Sequence, residues 1–183
     1  MSSSTISLTD LNTCWQDPKA KSIGFFSVGP VTTVDEKLIQ EMKDLALKSG
    51  ENVRLSLHQD PKAAFHEMII VQHRDKFHPP KKHVQKAKSF HIMEGKMAVF
   101  SFTETGEVTN SLVLDRNGST IFRIEKEIYH VDIPVSDLIV HHESTLGPFL
   151  GDDDGIYAEW CPGMDGLLDY RDQLFAQCSI EGA

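Results

Sequence analysis

The stretch His78–Phe100, HPPKKHVQKAKSFHIMEGKMAVF, decides how the rest of the chain is read. Lys81 and His83 are two residues apart, so on a strand both side chains point to one face. After four intervening residues comes Lys88, and after six more Gly95, ahead of the apolar run MAVF. The spacing is that of a metal-ligand set, yet two ligand positions hold lysine, which offers a lone pair only after losing its proton. At neutral pH that loss costs about 4.6 kcal/mol for an unperturbed lysine. The positions are therefore expected to form a cationic pocket and not a divalent-metal site.

Outward from this stretch, residues 53–143 break into short β-branched and aromatic runs: EMIIVQH, SFHIMEG, KMAVFSF, VTNSLVL, STIFRI, IYHVDI and DLIVHHE. Turn dipeptides Thr105-Gly106 and Asn117-Gly118 separate several of them. Strands at this spacing predict an all-β core built as an antiparallel sandwich or barrel. A small barrel carries its ligand pocket in its mouth.

Before the strands, TVDE at 33–36 reads as a capping box. Leu38, Met42 and Leu45 recur at helical spacing up to Gly50, a C-terminal cap. The expected organisation is an N-terminal extension over 1–31, in which SIGFFSV adds an edge strand, and a helix region over 32–52. The barrel and its tail follow over 53–163, then a C-terminal helix over 164–183. Asp152–Asp154 lacks the spacing of a calcium loop and reads as a solvated turn. Trp160 reads as a packing anchor for the tail.

The chain has 183 residues, 40% apolar and 25% charged, which is ordinary globular composition. Net charge is −9, which argues against nucleic acid and anionic membrane as partners. Between His73 and Met93, however, Arg74, Lys76, Lys81, Lys82, Lys86 and Lys88 face only Asp75. Three scattered cysteines, no secretory leader and no long apolar run point to a cytoplasmic chain outside the membrane.

The spacing Lys81-x-His83, Lys88 and Gly95, with His130 in a later strand, resembles the two metal-binding motifs of the cupins. Lys81 and Lys88 stand where the first His and the Glu of that pattern belong. Within that superfamily, of RmlC-like fold, the chain looks like the WbuC family. The likeness covers the helix VDEKLIQEMKDLALKSG, the segment RLSLHQDPKAAFHEM, and ESTLGPF followed by YAEWCP, over about residues 32–163. It implies a closed cupin barrel or jelly roll linked to surface-polysaccharide biosynthesis.

Together these readings lead to a small anionic, sugar-derived ligand held in the barrel by Lys81 and Lys88, with Arg54, His58 and Glu143 near its mouth. In a metal-independent isomerase or epimerase of this kind His83 is the base, and Tyr129 or His130 returns the proton. No cofactor is required. Two alternatives stand beside it: a divalent metal on rearranged ligands His78, His83 and His130, and a non-catalytic ligand- or partner-binding module with a decayed site. His91 is expected to face outward. His141, on the face of Glu143, is expected at the surface or hydrogen-bonded, and His66 and His73 at the surface. An exposed sheet edge suits a homodimer.

Overall fold

The computed structural model describes residues 5–180. Twelve strands form two stacked sheets, with one helix packed on the outer face of each. In chain order the strands are β1 (Cys14–Gln16), β2 (Ile23–Ser27), β3 (Val53–Ser56), β4 (Phe65–His73), β5 (Lys81–Lys82) and β6 (Lys88–Glu94). They continue with β7 (Lys96–Phe102), β8 (Val108–Asp115), β9 (Ile121–Ile124), β10 (Tyr129–Pro134), β11 (Leu138–Leu146) and β12 (Ile156–Tyr157). Helix α1 spans Glu36–Ser49 and α2 spans Leu167–Gln177.

The first sheet has the order β1-β2-β3-β4-β11-β6-β9 and the second β12-β5-β10-β7-β8. Neither closes on itself. Strands β1 and β9 end one sheet, β12 and β8 end the other, and among the described residues no ladder joins the two. The expected closed cupin barrel or jelly roll is thus overturned: the core is an open two-sheet sandwich. Two local features explain this. Strand β5 is only two residues long, because Pro79 and Pro80 before it lack amide donors and the chain turns away after His83. At the other side, β2 and β3 pair in parallel, Ile23 beside Val53 through Phe26 beside Ser56. Parallel neighbours need a crossover, and α1 supplies it. SIGFFSV is therefore an interior strand of the seven-stranded sheet, flanked by β1 and β3.

Helix α1 starts at Asp35, whose carboxylate accepts the Leu38 amide at 2.9 Å, and stops at Gly50 in the left-handed region. The cap is thus Asp35, two residues after the Thr33 hydroxyl. Leu38, Ile39, Met42 and Ala46 bury against Val53, Leu55, Ile69, Val71 and Val140. On the far side, Leu174 and Phe175 of α2 pack on Phe100, Phe102 and Ile133. Gly95 turns β6 into β7 with φ +78°, and an added Cβ would lie 2.9 Å from the Leu138 carbonyl.

Between the sheets the filling changes along the strands. Phe90, Ile92, Met97, Val99, Leu114, Ile124 and Ile139 make one end apolar. Toward the other end the same strands present Lys88, Ser101, His141, Glu143 and Thr145. No helix among the described residues is long and apolar enough to cross a membrane.

Candidate functional site

Alternation along the strands builds the polar end. Strand β11 sends Val140 toward α1 and Ile139, His141 and Glu143 between the sheets. Strand β10 sends Tyr129, Val131 and Ile133 toward α2, leaving His130 and Asp132 on the inner face. Lys81 pairs with His130 across β5 and β10, and Lys88 pairs with Thr145 across β6 and β11. Arg54 lies on the face of β3 opposite Val53 and Leu55, which pack under α1. The structure therefore brings together Lys81, His83, Lys88, His130, Glu143 and Arg54 from the expected set.

Lys88 Nζ donates to Glu143 Oε1 at 2.8 Å, and both side chains are almost fully buried. Burial alone would push Lys88 down and Glu143 up; their mutual attraction wins, raising the lysine and holding Glu143 down at about 2. Lys81 differs. Among the described residues its amine makes no hydrogen bond or ion pair, and burial followed by the Lys88 charge pushes it down to about 8. Asp132 makes no ion pair among the described residues, and burial followed by the Glu143 charge pushes it up to about 6.

Two histidines are held in a definite tautomer. A carbonyl oxygen only accepts, so His83 donates Nδ1–H to the Asp154 carbonyl and His130 donates Nδ1–H to Ile128 O at 2.9 Å. Their rings stand 5.8 Å apart, and each leaves a buried, unpartnered Nε2 lone pair. Burial lowers both to about 4. His141 is 1% exposed with neither ring nitrogen hydrogen-bonded, which corrects the expected surface or hydrogen-bonded role. Arg54 Nε, Ser56 Oγ and His66 Nε2 are also buried without partners, on the inner faces of β3 and β4.

The remaining expected residues lie elsewhere. Tyr129 faces α2, packed on Trp160 with the Lys82 ammonium 4.5 Å above its ring. Trp160 also packs on Phe102 and Tyr170. His58 stacks on His66 at 4.0 Å, and the Glu67 amide donates to its Nδ1 at 3.2 Å. His78 is exposed, in the loop before β5. His91 is exposed as well. His66 is buried, and His73 bonds the Ala46 carbonyl of α1 at 3.0 Å. Asp132, His141 and Asp154 were missed. Asp132 was within reach of strand alternation from His130, whereas Asp154 belongs to a loop with no periodicity.

A divalent ion does not fit here. Among the described residues no group of three or more His, Cys, Asp or Glu is placed to hold one, so the rearranged metal site of His78, His83 and His130 is overturned. The barrel-mouth ligand pocket fails with the barrel. The surface grooves lie elsewhere: one of about 400 Å³ beside β8 and the end of α2, another of about 520 Å³ between α1 and the β6–β7 turn.

Fold and site thus define an open β-sandwich with a buried amine, carboxylate and imidazole cluster. The pattern of a domain of unknown function (DUF6016) matches residues 34–114, and it is unrelated to the WbuC cupins whose membership was expected. No curated protein sequence matches the chain. Among solved structures, L-ribose isomerase of Cellulomonas parahominis with L-psicose is 16% identical, covering 60% of this chain and 70% of that one at a TM-score of 0.46. CapF with the inhibitor 3-isopropenyl-tropolone is 13% identical, with 58% and 31% covered at 0.49. Procruciferin, the 11S globulin of Brassica napus, is 9% identical, with 50% and 22% covered at 0.40. At such scores these likenesses carry no argument.

Proposed function

We propose that the inter-sheet cluster is a reactive-amine site, in which Lys81 condenses with a small aldehyde or ketone. One observation carries this reading: of the three lysines at the polar end, Lys88 is paired with Glu143 and Lys86 with Asp154, and among the described residues Lys81 alone of the three has no partner. The fixed positive charge of Lys88 favours a neutral Lys81, the form whose lone pair attacks carbon. The Lys81 nitrogen bonds to the carbonyl carbon while the π pair moves to oxygen, giving an alkoxide beside a nitrogen that carries the positive charge. The Nε2 lone pair of His83 or His130 relays one nitrogen proton to the alkoxide, and the hydroxyl so formed leaves with the second nitrogen proton as water. The product is an imine, and one water is released.

The test is reductive trapping. The full chain is incubated with acetaldehyde or benzaldehyde and cyanoborohydride, and the adduct is mapped by peptide mass spectrometry. Lys81 is expected to be modified ahead of exposed Lys19, Lys37 and Lys62, with half-maximal rate near pH 8, and K81R to lose the adduct. Labelling that follows solvent exposure overturns the reading.

A further inference from the structure

Residues 147–158 cross the polar end of the sandwich. Their ends are fixed by the Gly147 amide on Ala64 O and the Ala158 amide on Pro80 O, both at 2.9 Å. Between these anchors no described residue is buried, and Phe149, Leu150, Ile156 and Tyr157 expose their side chains. Burial therefore does not hold the segment down. Hydrogen bonds do: the Phe149 amide donates to Pro61 O at 2.8 Å, and the side-chain bonds converge on two inner residues. Buried Lys86 donates to Pro148 O at 2.6 Å and to the Asp154 carboxylate, which also accepts the Leu150 amide at 3.3 Å. His83 donates to the Asp154 carbonyl, and Gly155 packs so close that an added Cβ would lie 3.3 Å from the imidazole. Strand β12, the last part of the segment, pairs Tyr157 with Lys81.

We infer that residues 147–158 are a removable strap over the cluster, latched by Lys86 on Pro148 and Asp154, and that its release uncovers His83 and Lys81. The strap stands on its own geometry; only what enters beneath it rests on the reactive-amine reading. Few apolar contacts and many exposed hydrogen bonds place a segment at the low end of local stability, where opening occurs without global unfolding. One ammonium ties Pro148 to Asp154 across the loop, so losing it loosens the stretch between the two anchors as a unit.

Amide hydrogen exchange on the full chain tests this. The amides of Gly147, Phe149, Leu150 and Ala158 are expected to exchange as one group, at least about ten-fold faster than those of β7 and β10. Lys86→Met should accelerate the group about ten- to a hundred-fold further, the scale of a charged hydrogen bond, while leaving β7 unchanged. Asp154→Asn weakens the same latch without removing the buried amine, and decides the matter if the Lys86 variant does not fold. Strap amides as slow as β7 in the native chain, or unmoved by either variant that folds, overturn the strap. A strap that opens while Lys81 stays unmodified by acetaldehyde sustains the strap and refutes the amine chemistry.

Discussion

Lowering the pH from 7 to 5 should destabilise this protein severely, through its buried imidazoles. His83, His130 and His141 are at most 4% exposed and are each held down at about 4. In the unfolded chain they titrate near 6.5. The unfolded state then binds more protons between these values, so stability is present above about 6.5 and is lost as pH falls toward 4. At pH 5 each imidazole contributes a loss of about 2 kcal/mol. Asp132 works the other way. Its folded value of about 6 lies above its unfolded one, so acidification to pH 5 returns about 1.3 kcal/mol. Glu143 and Lys81 titrate outside this window. From these four groups the net loss is about 4 kcal/mol, a large share of the 5–15 kcal/mol typical of a domain, and half-buried His58, also held down at about 4, acts in the same direction. Urea unfolding at pH 7, 6 and 5 measures it, with His141→Leu as the diagnostic variant because neither ring nitrogen of His141 is partnered. The variant should lose about 2 kcal/mol less than the wild type between pH 7 and 5. Equal stability of the wild type at both pH values, or an unchanged pH slope in the variant, would refute the reasoning.

Gly147→Ala should be among the most damaging single substitutions. Its Cβ would stand 1.8 Å from the Ala63 carbonyl and 2.6 Å from His66 Nε2, so backbone must move, and a fall in thermal midpoint checks it. Lys88→Met should cost about 3–5 kcal/mol by stranding Glu143, while Lys88→Met with Glu143→Leu should recover most of it. Chemical denaturation of both variants at pH 7 separates the two, and a double variant no better than the single one contradicts the pairing.

The legible features were those set by local chemistry. Strand alternation set Lys81 and His83 on one face, because a side-chain period of two needs no knowledge of partners, while Lys88, His130 and Glu143 were picked out by the family resemblance. The Gly50 stop and the apolar face of α1 were legible for the same reason. Closure was not. Whether strands form a barrel depends on which edges pair, and Ile23–Ser27 reads alike as an edge or an interior strand until its parallel partner Val53–Ser56 is known. Tyr129 shows the limit from the other side: it adjoins His130, so the pleat had to turn it to the opposite face. Asp154 lay beyond reach, since its role comes from Lys86, 68 residues earlier.

The position of β11 also has a kinetic consequence. It lies between β4 and β6, so the longest sheet cannot be assembled until Leu138–Leu146 has left the ribosome. Until then β4 and β6 each carry an open edge, and β4 includes the apolar run Met68–Val71. During synthesis the chain is therefore most prone to pair with a neighbouring copy over the interval between completing β6 and completing β11. Its late strand acts as the internal partner that ends that exposure.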